Sequence, residues 1–183
     1  MQKYLKVMFD NKGINFEYRI DEVNIAETWN PNTFDPKKMG GFNFSIAEMN
    51  NIPLNVDERF GERKFGVKNI NELSNDYFEQ QWSDLNYKIA GGESINEVQK
   101  RMLSAFYEVL NNNKDKTIMI ISHGTALTAM LKEWCDIKLN YDKKLLEIYF
   151  NDNLVFDGNW NCPELFKLEF DDNVLLDIKN IKM

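Results

Sequence analysis

The sequence predicts an α/β fold: a mostly parallel sheet flanked by helices, with an irregular N-terminal segment. Three observations carry that reading. The apolar run Thr117–Ile121 ends in Ser122-His123-Gly124, and a helical apolar pattern starts at once in Thr125–Leu131. A buried parallel strand handing over to a helix has this form. Ser94-x-x-Glu97 is a capping box, followed by Ile95, Val98, Met102, Ala105, Phe106 and Val109 at helical spacing. In the tail, Leu165–Phe170 and Val174–Ile178 flank Asp171-Asp172-Asn173, a hairpin pattern.

The elements follow in order. Tyr4–Phe9 reads as a short strand. Residues 10–45 are rich in Asn, Gly, Pro and aromatics, as in Trp29-Asn30-Pro31-Asn32 and Met39-Gly40-Gly41-Phe42. Breakers at that density predict loops, with one short strand at Phe16–Ile20. A short helix over Ser45–Asn50 then leads through Ile52-Pro53 to a strand at Leu54–Val56. Leu73, Tyr77, Phe78 and Trp82 make an apolar stripe for a helix over residues 71–82. The helix begun at Ser94 ends at Asn111-Asn112-Asn113, and the one after His123 runs to Trp134 or Cys135.

A chain of 183 residues, 43% hydrophobic with 13 Phe, 7 Tyr and 4 Trp, supplies material for one domain with a sizeable core. We read residues 1–183 as a single domain, with 1–45 an atypical segment and 46–183 the regular core. A net charge of −7 argues against nucleic acid or an anionic membrane as partner. It also leaves any anion site dependent on local arginines, backbone amides and helix dipoles. Cys135 and Cys162 are too few for a disulfide framework, so a reduced, cytoplasmic setting is the expectation. The start of the chain lacks a signal-peptide apolar core, and no apolar run approaches the roughly 20 residues of a bilayer span. No Cys/His/Asp cluster has metal-ligand spacing, and no cofactor or metal is expected.

His123 is the only histidine. At a strand's carboxyl end, beside the first amides of a helix (Gly124, Thr125), an imidazole suits an anion such as a phosphoryl group. Upstream stands Val56-Asp57-Glu58-Arg59-Phe60-Gly61-Glu62-Arg63-Lys64-Phe65-Gly66, and between the two stands Gly91-Gly92-Glu93-Ser94-Ile95-Asn96-Glu97. Here the chain resembles the histidine phosphatase superfamily, the phosphoglycerate-mutase-like proteins. The matching pieces, in the family's order, are the acid-bearing ERxFG loop, the GGES turn before a long helix, and the strand–SHG–helix unit. Asn161-Cys162-Pro163 followed by two strands is similar to the family's end, so the resemblance covers about residues 46–183.

The resemblance implies roles. His123 would hydrogen-bond a phosphoryl group, and Glu62 would give a proton to the leaving oxygen, which requires a carboxyl that keeps its proton near neutral pH. Arg63 would help hold the substrate. Glu93 and Ser94 have a sufficient explanation as turn and N-cap. Other family features are missing. The first strand runs into Asp10-Asn11-Lys12-Gly13 instead of Arg-His-Gly, and Phe42 stands where a further arginine would fall. The arginines are Arg19, Arg59, Arg63 and Arg101.

The resemblance with these gaps reads as a degenerate member that keeps part of a phosphate pocket for a phosphate anion or a small phosphorylated molecule. Two alternatives stand beside it. One is an active phosphomonoesterase or mutase with a substitute nucleophile, for which Asp10 is the candidate. The other is an interaction module, in which a homodimer covers apolar surface left by the missing family core.

Overall fold

A computed structural model describes residues 55–160 and 164–182, together with the backbone of residues 4–9. They belong almost wholly to one of the chain's two compact units, residues 2–13 with 58–183; of the other unit, residues 14–57 with Met1, only 55–57 are described. The helix expected at Ser45–Asn50 and the strand expected at Phe16–Ile20 lie outside the described residues, as do Asp10 and Cys162.

The elements are β1 (Tyr4–Phe9), α1 (Tyr77–Ser83), α2 (Ile95–Asn112), β2 (Met119–His123), α3 (Gly124–Leu131), β3 (Asp136–Asn140), β4 (Leu145–Phe150), β5 (Asn153–Phe156), β6 (Glu164–Asp171) and β7 (Val174–Ile181). Single 3-10 turns form at Glu58–Phe60 and Ile70–Glu72. The long helix expected over residues 71–82 is therefore split. Leu73 is extended, and α1 starts only after Ser74-Asn75-Asp76, whose side chains compete for backbone hydrogen bonds. Residues 55 and 56 carry no strand.

The sheet is not mostly parallel. Four strands lie in the order β2-β1-β6-β7, and three more form a second sheet, β3-β4-β5. Among the described residues only β1 with β6 is parallel; β1–β2, β3–β4, β4–β5 and β6–β7 all run antiparallel. For the pairs β3–β4, β4–β5 and β6–β7, loop length gives the reason. A parallel neighbour needs a crossover of a dozen residues or so, whereas short connections allow only the antiparallel return. Asn151-Asp152 joins β4 to β5 with both residues at positive φ, 48° and 63°. Asp172-Asn173 joins β6 to β7. After α3 the chain enters the other sheet, so β2 and α3 do not close a β–α–β unit within one sheet. The tail hairpin is present as expected, and the strand at Tyr4–Phe9 does pair in the sheet.

The core forms where the apolar stripes of α2 (Ile95, Val98, Met102, Phe106) and α3 (Leu127, Met130, Leu131) meet Phe166 and Leu168 of β6 and Ile178 of β7. α3 is buried on nearly every side, consistent with its uninterrupted apolar sequence. β2 is thereby held beneath α3, and His123 stands at the junction between them. Among the described residues no helix is long and apolar enough to cross a membrane.

Candidate functional site

The site is built from a loop, a helix start and a strand end. The loop is residues 58–66. Its first turn closes through Gly61 N–H donating to the Glu58 carbonyl at 3.0 Å. Ser122, buried next to His123, donates its hydroxyl to the Phe60 carbonyl at 2.7 Å, which ties the loop to the end of β2. At its other end the loop touches the turn before α2, where Phe65 and Gly92 form an isolated antiparallel bridge. The contact is close enough to require glycine. A Cβ on Gly66, whose φ is +80°, would stand 2.6 Å from the Ala90 carbonyl, and one on Gly92 would stand 2.8 Å from the Phe65 carbonyl. The expected capping box is present, with Ser94 Oγ accepting from Glu97 N–H and Glu97 accepting from Ser94 N–H.

Arg101 stands two helical turns after the cap and reaches back into this loop. Nη1 donates to the carbonyls of Arg59 (2.7 Å) and Gly61 (3.0 Å), and Nη2 to that of Glu62 (3.1 Å). Nε and Nη2 donate to Glu93, at 2.8 and 3.1 Å. A guanidinium has five N–H groups, and here each has an acceptor. Glu93 also accepts from Lys64 N–H at 2.8 Å. Burial works to raise the Glu93 carboxyl, but the bonds from Arg101 and Lys64 hold it below the usual carboxylate range.

Glu62 and His123 are near enough for the Glu62 charge to act on the imidazole. Burial pushes the His123 imidazole below its ordinary range; the Glu62 charge opposes this, and the Arg101 charge adds to it. The ring caps α3 by position only, with no side-chain hydrogen bond to the helix amides. Gly124 and Thr125 form the first turn of α3. The Trp160 indole lies over it, 3.6 Å from where a Gly124 Cβ would stand. The Glu62 carboxyl accepts from Arg63 N–H at 2.8 Å.

Arg63 has a different setting. It is only 6% exposed, and its guanidinium lies 4.6 Å from the Phe65 ring centroid and 5.6 Å from that of Tyr77. Its Nε and Nη1 are buried without a hydrogen-bond partner. Burial lowers its pKa, opposed by Glu62 and Tyr77. Among the described residues the arginine whose charge acts on His123 is Arg101, which no motif marks in the sequence. Its only sequence signal is position: seven residues after Ser94 it lies on the helix face above the cap.

Asp10 itself lies outside the described residues, but the register of its strand is defined. β1 runs antiparallel to β2 with Tyr4 opposite His123, while Met8 faces Met119. Phe9, the last residue of β1, is five residues from Tyr4, or about 17 Å of strand. Cys135 is buried, and its thiol is pushed up to about 12 by desolvation and Asp136, which leaves it a packing residue. Among the described residues no group of three His, Cys, Asp or Glu could hold a metal ion. A surface recess of about 660 Å³ beside Lys64, Lys88 and Gly91 includes neither Glu62 nor His123.

Comparison with family models matches residues 45–147 to the histidine phosphatase superfamily, branch 1. That is more than half of the chain. The protein belongs to this superfamily. The match takes in Glu62, Arg63, Glu93, Arg101 and the Ser122-His123-Gly124 turn, and it begins after the atypical N-terminal segment. No curated protein and no solved structure matches the chain. The matched stretch thus holds an acid on a loop, an imidazole at a helix start, and an arginine whose donors are all used on that loop and on Glu93.

Proposed function

We propose that the protein is a catalytically degenerate histidine phosphatase, which binds a phosphate anion or small phosphorylated molecule and does not turn it over. The observation that carries this is the setting of His123. The imidazole ends β2 at the first turn of α3 and is under the influence of both Glu62 and Arg101. Burial favours its neutral form, which donates one hydrogen bond to a phosphoryl oxygen. The amides of Gly124 and Thr125 and the dipole of α3 add attraction for negative charge.

In this reading Glu62 takes the role of proton donor to a leaving oxygen, and the family's phosphoryl-accepting histidine has no counterpart. The sequence holds one histidine, and the SHG turn uses it. Loss of a nucleophile costs several orders of magnitude in rate while binding survives. A net charge of −7 accords with a small ligand rather than nucleic acid, and we place the protein in the cytoplasm.

The test follows the single imidazole by NMR during titration with inorganic phosphate. Bound phosphate should shift the His123 ring signals and raise its titration midpoint, because an anion favours the charged form. Unmoved signals at tens of millimolar phosphate would defeat the proposal. Hydrolysis of an aryl phosphate should stay at background. Robust turnover, lost in Glu62→Gln or in Asp10→Asn, would establish an active enzyme instead.

A further inference from the structure

The five hydrogen bonds of Arg101 reach further than a packing role requires. Three go to consecutive parts of one loop, the carbonyls of Arg59, Gly61 and Glu62; two go to Glu93, which itself takes the N–H of Lys64. Glu62 is therefore bracketed, by Arg101 at its own carbonyl and by Glu93 two residues later. Ser122 holds the same loop from the His123 side. The Arg101 and Glu93 side chains are only 21% and 18% exposed, so the pair is sheltered from competing water.

We propose that Arg101, gripped by Glu93, is the positioning residue of this site: it fixes the loop so that the Glu62 carboxyl stands beside His123. Lysine cannot substitute, because an ammonium has three rotatable donors and no planar fork to span three carbonyls and a carboxylate. Glu62 and Arg101 both act on the charge of His123, and Arg101 also bonds the loop that carries Glu62. The inference rests on reading Glu62 and His123 as one site.

The experiment is a double-mutant cycle read on the His123 ring by NMR, in full-length protein without ligand. In the parent, Glu62→Gln should lower the imidazole's titration midpoint, since the lost negative charge had raised it. In an Arg101→Gln background the same substitution should have about half that effect or less, because the loop no longer holds position 62 in place. Arg101→Lys keeps the charge and loses the fork, so it should behave as Arg101→Gln does. Should Arg101→Gln not fold, Arg101→Lys decides alone. An undiminished Glu62→Gln effect in either folded variant, or no effect in the parent, would overturn the proposal. Phosphate titration of the parent is read separately: failure to bind would sink the proposed function and leave the coupling measurement standing.

Discussion

At its first turns α2 adds hydrogen bonds to the apolar burial of Ile95 and Val98. Ser94 and Glu97 cap it, and Arg101 saturates itself on the 58–66 loop and Glu93. Toward its other end α2 meets the molecule through rings. Phe106 is fully buried, with Trp134 and Phe170 each 5.4 Å away between centroids and Tyr107 at 5.9 Å. One helix thus does two jobs. Apolar burial is non-directional and stabilises whatever arrangement excludes water. Hydrogen bonds to a guanidinium fork are directional and specify where atoms sit. The aromatic end should therefore govern stability, and the polar end the geometry of the site.

The largest effect is expected at the aromatic end. Phe106→Ala leaves a cavity among packed rings and should cost about 3–5 kcal/mol, measured by urea unfolding. A loss under about 1 kcal/mol would mean that the cluster closes over the gap and that the contrast is overdrawn. Next comes the glycine contact at the polar end. Gly66→Ala puts a Cβ at positive φ, 2.6 Å from the Ala90 carbonyl and the Gly92 nitrogen, and should cost at least about 2 kcal/mol. In the same variant, slowed exchange of the Glu93 amide, which donates across the bridge to the Lys64 carbonyl at 2.8 Å, would contradict a disturbed bridge.

A smaller change is expected at the cap. Ser94→Ala should lower stability by about 1 kcal/mol, with the His123 ring signals unmoved, because the cap holds the helix and not the loop. The smallest effect is that of pH. The folded protein holds His123 below its ordinary value of 6.5, so below that pH the unfolded chain binds more protons. This contribution to stability is complete above pH 6.5 and is lost as pH falls through the folded-state midpoint. The urea midpoint of the parent should fall more between pH 7.5 and 5.5 than that of His123→Gln. Parallel curves would assign the pH dependence to other groups.

Local features were legible because the residues that make them are neighbours. The Ser94 box, the β2–α3 junction and the β6–β7 hairpin each declare themselves within a dozen residues. β3, β4 and β5 were not assigned from sequence, although Leu146 and Ile148 alternate with Leu145 and Glu147 in the period of a strand. Strand direction was misjudged. An apolar run at Thr117–Ile121 says that both faces of the strand are covered, but not which way its neighbour runs; among the described residues β2 stands at the end of its sheet with an antiparallel partner.

For the site, the sequence alone determined the chemistry at hand: an acid at position 62, a single imidazole at 123, a capped helix between them, and no second histidine. The tertiary structure decided which arginine serves it. Arg63 adjoins Glu62 in sequence yet packs on Phe65 and Tyr77, while Arg101 binds carbonyls some 40 positions earlier, with a separation of 42 residues to Arg59. The reason is physical. Its acceptors in the loop are backbone carbonyls, which every residue possesses and no residue type marks, so only the folded chain shows which of them meet a guanidinium.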